Sequence, residues 1–156
     1  MNPIKSPIFL SVIFFTVIFT SCKNNSNNRR DTNHFPYEKV DGVAVDMENK
    51  GVGPIRSISL PEGIDADLVD QGKKLYQKYC SACHKPTQRF VGPAPKGILD
   101  RRSPEWIMNM ILAPDKMIKE DPVAKQLLME YNGSPMANQG LSEEEARAIL
   151  EYFRTL

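Results

Sequence analysis

Apolar and polar positions along the chain fall into distinct stretches. Behind a lone positive charge at Lys5, residues Ile8 to Thr20 are apolar or hydroxyl-bearing without interruption. Coiled as a helix, ~13 such residues span about 20 Å, short of the ~30 Å hydrocarbon core of a bilayer, so residues 1–21 are predicted to be an export signal rather than a permanent span. Lys23 to Asn33 holds no apolar residue to bury and reads as a flexible tether. His34 to Gly63 interleaves Gly42, Gly51, Gly53, Pro54 and Pro61 with the short apolar pieces Val43 to Val45 and Ile55 to Leu60, the pattern of extended chain lying on a domain surface.

From Asp65 onward the apolar period becomes helical. Asp65 or Asp67 can cap a segment running to about Tyr79, with Leu68, Leu75, Tyr76 and Tyr79 on one side; Gly72 in its middle costs about 1 kcal/mol against alanine, which calls for a packing reason. Ser103 ahead of Pro104 opens a second segment, Pro104 to Leu112, that carries Trp106, Ile107, Met110 and Ile111 and is expected to close at Pro114. Asp121 and Pro122 repeat the start signal for a third, which holds Val123, Leu127, Leu128 and Tyr131 and stops at Gly133. Pro114 to Glu120, between these two, reads as a less constrained connection. Ser142 and Glu145 form a capping box for the last helix, where Ala146, Ile149, Leu150 and Phe153 recur at helical spacing. No strand-like alternation competes, so the expected fold is all-α over residues 65–156.

Composition narrows the class of function. With 156 residues, 41% hydrophobic and 25% charged, the chain suits one soluble domain. Its formal charge is +1, and loss of Lys5 with the signal leaves 19 basic against 19 acidic side chains, a balance that argues against nucleic acid as a partner. The three cysteines, Cys22, Cys80 and Cys83, are too few and too oddly spaced for a disulfide framework. Thr20-Ser21-Cys22 resembles a bacterial lipobox, which implies that Cys22 becomes the first mature residue and carries the lipid; an uncleaved N-terminal anchor is the other reading. The protein is then an exported, periplasm-facing lipoprotein held to a membrane, with residues 22–64 as lipidated tether and irregular extension.

The run Cys80-Ser81-Ala82-Cys83-His84 carries the chemistry. Two thiols three positions apart at the end of a helix can add to the two vinyl groups of haem, and the histidine after the second is then placed beneath the iron as an axial ligand. A thioredoxin-like dithiol needs no following histidine and expects a preceding strand. A structural zinc site needs four ligands, for which only His34 remains as a further candidate. The motif therefore predicts one covalently attached haem c.

Gly72-Lys73-Lys74-Leu75-Tyr76, then three residues, then the Cys80 to His84 motif is similar to the N-terminal helix and attachment motif of class I cytochromes c. The resemblance covers Asp65 to Leu156. It implies helices packed around one covalent haem, and an electron carrier rather than an enzyme with a small-molecule substrate. It further implies that Gly72 lets an aromatic of the last helix, Tyr152 or Phe153, cross closely. Gly92-Pro93 resembles the family step whose proline carbonyl accepts a hydrogen bond from the axial histidine, although Gly92 to Pro95 also reads as a plain loop.

The resemblance also implies a methionine as sixth ligand. Met136, after Gly133-Ser134-Pro135 and before the last helix, matches the family's methionine loop in order and context; Met117 is the other candidate. Met108, Met110 and Met129 sit inside expected helices, where core filling is their ordinary role, and Met47 lies in the extension. Trp106, Ile107, Leu128, Ile149 and Phe153 are candidate walls of the haem pocket. Histidine and methionine together would leave no open site for oxygen or peroxide, which is what makes the centre an electron carrier.

Lys73, Lys74, Lys78, Lys85, Arg89, Lys96, Arg101 and Arg102 flank the motif, while Glu143, Glu144, Glu145 and Glu151 lie on the last helix. The asymmetry can steer acidic redox proteins, donor and acceptor, or simply coat solvated faces. The expected acceptor is a periplasmic or membrane reductase or oxidase. The runs Arg101 to Ile111 and Gly133 to Gln139 are similar to small lipoprotein cytochromes c that accompany nitrous-oxide reductase, which implies a copper reductase or its supply chain as partner. Two alternatives stay open: a haem enzyme or gas sensor with an open iron, and a haem-binding subunit of a larger redox complex.

Overall fold

Asp65 starts the helical part of the chain as its capping pattern requires. In the computed structural model, which describes residues 39–40 and 43–156, the Asp65 carboxylate accepts hydrogen bonds from the N–H groups of Asp67 at 3.0 Å and Leu68 at 3.1 Å. The export signal, Cys22, the tether and His34 lie outside the described residues. Among those described, no helix is long and apolar enough to cross a membrane.

Among the described residues five α-helices follow one another: α1 (Ala66–Tyr79), α2 (Pro104–Leu112), α3 (Pro114–Glu120), α4 (Pro122–Glu130) and α5 (Glu143–Phe153), with one 3-10 turn at Ile98–Asp100. The caps match the sequence. Ser103 accepts from the Trp106 N–H at 3.1 Å, Asp121 from the Ala124 N–H at 2.7 Å, and Ser142 and Glu145 close a reciprocal capping box. After α4 the chain turns through Asn132 and Gly133 in left-handed conformations, φ +59° and +71°.

Four features change or extend these expectations. Pro114 opens α3 instead of merely closing α2; a proline in the first helical position lacks only an N–H that would have been unpaired anyway. A short antiparallel pairing of β1 (Lys39–Val40) with β2 (Val43–Ala44) precedes the otherwise all-α domain. Gly72 does let α1 and α5 cross closely, but what fills the place of its missing Cβ is the Ala148 backbone carbonyl, not an aromatic ring. Tyr152 and Phe153 instead flank Tyr76 one turn further on, with ring centroids 5.4 and 5.9 Å away.

The fourth concerns charges. Glu151 is 0% exposed, paired with Arg147 at 2.6 Å and Arg154 at 2.8 Å, and accepts from the Asp65 N–H at 3.0 Å, so it locks α5 to the start of α1 rather than joining an acidic solvent face. Arg102, counted above among the flanking basic residues, is likewise buried.

The extension preceding α1 is a strap docked along α2 and α3. Asn109, 0% exposed on α2, spends its amide on it: Oδ1 accepts from the Ile55 N–H, and Nδ2 donates to the carbonyls of Lys50 and Ile55, all at 2.9 Å. Gly53 allows this approach, since a Cβ there would overlap the Asn109 amide. Gly51, at φ +70°, turns the strap onto Trp106 and Met117. Lys50 pairs with Glu105 at 3.3 Å, and Arg154 donates to the carbonyls of Pro61 (2.6 Å) and Gly63 (3.0 Å) at the other end.

Candidate haem site

The attachment motif begins where α1 ends. The Cys80 N–H still bonds the Tyr76 carbonyl at 2.9 Å, and Cys83 and His84 fold back to donate to the Cys80 carbonyl at 3.0 and 2.9 Å. This tight turn holds both sulfurs and the imidazole against one cavity of about 850 Å³, at the upper end of the about 300–1,000 Å³ usual for cofactor sites. Cys80, Cys83, His84, Pro93, Trp106 and Met136 all border it. Of the expected walls, Ile107, Leu128 and Phe153 line the cavity; Ile149 does not, because its turn of α5 is buried in the helix core.

His84 is held from two sides. A proline carbonyl can only accept, so the 2.8 Å contact between His84 Nδ1 and the Pro93 oxygen places the proton on Nδ1 and leaves the lone pair on Nε2. Gly92 lies directly against the ring, where a Cβ would overlap the imidazole, and its N–H donates to the Cys83 carbonyl at 2.9 Å. The reading of Gly92-Pro93 as a plain loop therefore gives way to the histidine-orienting step. From the other side, the Tyr76 hydroxyl donates to the His84 carbonyl at 2.6 Å. Burial, with smaller contributions from Cys80 and Tyr152, pushes the Tyr76 phenol up to about 12, so it stays a donor at any physiological pH.

The cysteines do not look like a redox-active dithiol. Burial, and then Cys83, raise the Cys80 thiol to about 11, whereas reactive dithiols need a depressed value. No group of three or more His, Cys, Asp or Glu side chains among the described residues could hold a metal ion, so zinc finds no support there either.

The two candidate methionines separate. Met136 borders the cavity; Met117 is 0% exposed inside α3, where its sulfur accepts from the Val52 N–H of the strap at 3.0 Å. Arg102 also borders the cavity. It is 4% exposed, and its Nε has no hydrogen-bond partner among the described residues. A buried cationic donor left over at the wall of an apolar cavity suits a ligand that carries carboxylates, as haem does through its propionates. Size, apolar lining, paired sulfurs, an oriented imidazole and this spare donor all fit haem.

Over residues 69–156, more than half of the chain, the sequence matches the family described as Cytochrome c. The chain belongs to the cytochrome c family. Among solved structures, cytochrome c from Rhodothermus marinus is 51% identical with a TM-score of 0.64, over 66% of this chain and 88% of that one. An engineered form of the Rhodothermus marinus cytochrome c, bound to a carbene intermediate, is 50% identical with a TM-score of 0.61, over 66% and 88%. The cytochrome c domain of the pp3183 protein from Pseudomonas putida is 28% identical with a TM-score of 0.50, over 54% and 85%. A search of the curated proteins found no match. Cytochromes c of this class bind haem c covalently and carry electrons, and this chain has one attachment motif.

Sequence reasoning missed Arg102 as a buried group, and Asn109 altogether. Neither carries a local signal, since an arginine in a basic run and an asparagine inside a helix both read as surface.

Proposed function

We propose that this cytochrome is a membrane-tethered, single-haem electron carrier in which Cys80 and Cys83 hold the haem covalently and His84 and Met136 bind its iron. The observation that carries the reading is the shared cavity: the paired sulfurs, an imidazole committed through Nδ1 to Pro93, and the Met136 thioether all border it. When bound, the haem supplies a one-electron ferric/ferrous couple. The protein does the rest. Pro93 keeps the imidazole in the ligating tautomer and makes it more basic. Met136 would contribute a soft donor that favours the ferrous state and, with His84, would leave the iron closed to oxygen. Trp106, Ile107 and Phe153 keep water from the macrocycle.

Exposed Arg89 and Lys96 and half-exposed Lys85 and Arg101 lie at or next to the cavity and suit an acidic docking face on donor and acceptor proteins. The likeness of Arg101 to Ile111 and Gly133 to Gln139 to cytochromes that accompany nitrous-oxide reductase supports a periplasmic or membrane reductase as acceptor. Lipidation at Cys22 would keep the carrier beside such partners, with two or more acyl chains needed for firm anchoring.

A pyridine haemochrome spectrum with a redox titration tests the centre. One haem c per chain and a single one-electron wave are expected; pigment removable by acidic acetone would defeat the proposal. Fatty-acid labelling tests the anchor, with label on the wild type and none on Cys22→Ser.

A further inference from the structure

The strap lies outside the matched family region, yet it ends on two residues that wall the haem cavity. Its first link is to Arg102: Nη1 of this buried side chain donates to the Ala44 carbonyl, and the Asp46 N–H donates to the Arg101 carbonyl at 3.0 Å, pairing the strap with the backbone of residues 101–102. Its second link runs to Trp106. Asn49 Nδ2 donates to Asp121 Oδ2 at 2.7 Å, the other oxygen of that carboxylate accepts from the Trp106 indole N–H at 3.1 Å, and the Ser103 hydroxyl donates to the Asn49 carbonyl at 2.6 Å. Arg102 and Trp106 are themselves in contact, with the guanidinium 5.3 Å from the ring. One buried polar network thus joins the strap to the cavity wall.

Resting on the reading of this cavity as the haem pocket, we propose that the strap is part of the redox centre, with Asn49 and Asn109 as positioning residues that hold Arg102 and Trp106 and so set the reduction potential. The physical argument is electrostatic. A positive charge held in a low-dielectric wall opposes the extra positive charge of ferric haem, and it acts far more strongly there than in water. Nη1 of Arg102 is spent on the strap at Ala44 and on the Arg101 carbonyl at 2.6 Å, while the buried Nε makes no hydrogen bond to the described residues. Loosening the strap frees the guanidinium to move toward water, where its charge is screened. Asn109 borders no part of the cavity and its side chain bonds strap backbone, so replacing it loosens the strap without removing a side chain that lines the cavity.

The test is a redox titration of the full-length holoprotein and its variants, each first checked for an unchanged covalent-haem spectrum. Arg102→Gln should lower the potential. Asn109→Ala, and Asn49→Ala as the less buried variant should the first fail to fold, should shift it in the same direction. Each shift should be smaller in the Arg102→Gln background than in the wild type, since residues acting through a shared path are not additive. Ser142→Ala weakens the cap of α5 without removing a bond to the strap or a side chain that lines the cavity, and should leave the potential at the wild-type value, which separates the effect from a general loss of stability. Wild-type potentials in both asparagine variants, or shifts that add in full to that of Arg102→Gln, would overturn the inference while leaving the function intact. A wild type without covalent haem would overturn both.

Discussion

Individual side chains around His84 leave little freedom to the ring. Gly92→Ala puts a methyl group into the imidazole, and overpacking of this kind costs about 1–3 kcal/mol. The variant is expected to unfold at lower denaturant and to carry less attached haem per chain. Tyr76→Phe keeps the packing with Tyr152 and Phe153 but strands the His84 carbonyl, so a loss of about 1–2 kcal/mol is expected in the same assay. Under the proposed ligation, Met136→Ala should remove the weak long-wavelength sulfur-to-iron band and let the reduced protein bind carbon monoxide; a surviving band would move the ligand elsewhere. The attachment motif is readable in five adjacent residues because thiols and imidazole are placed by local chain geometry alone. Arg102 is not readable, because its burial is decided by residues more than 50 positions away.

Helix ends and helix crossings differ in the same way. The N-caps of α1, α2, α4 and α5 were evident from a residue and its neighbours, as with Ser103-Pro104 and Ser142 with Glu145, whereas α3 starts after Ala113 with no side-chain cap to announce it. The α1/α5 crossing was evident only as a requirement for something small at Gly72. Gly72→Ala weighs two effects: a gain of about 1 kcal/mol in helix propensity, against overlap with the Ala148 carbonyl. A backbone oxygen has no rotamer to escape into, so the overlap wins and a net loss of about 1–3 kcal/mol is expected on denaturation.

Glu151 joins the same two helices at their other end. Burial alone pushes its carboxyl up, but the Asp65 N–H and the ion pairs with Arg147 and Arg154 outweigh it and hold the group below the ordinary carboxylate range. A depressed folded-state value means its contribution is complete above about pH 4.3, the unfolded value, and disappears as pH falls through the folded one. Acid titration of stability should show this loss in the wild type and lack that portion of it in Glu151→Gln.

For the molecule as a whole, the strap is the feature that separates pattern from structure. Asn109→Ala deletes three hydrogen bonds that hold it, and at about 0.5–1.5 kcal/mol each the loss should be on the order of 2–3 kcal/mol, read as a lower denaturation midpoint and earlier proteolysis within residues 43–64. By itself the sequence determined everything that depends on neighbours: the covalent attachment motif, the helix caps, the apolar faces and, through these, the all-α domain. Only the tertiary structure decided that Met136 borders the cavity while Met117 is buried away from it, what crosses Gly72, and that Arg102, Asn109 and Glu151 are interior. Those outcomes depend on contacts between segments 50 to 90 residues apart, such as Asn109 with Ile55 or Arg154 with Gly63, and chain-local periodicity carries no record of which distant surface a polar side chain will meet.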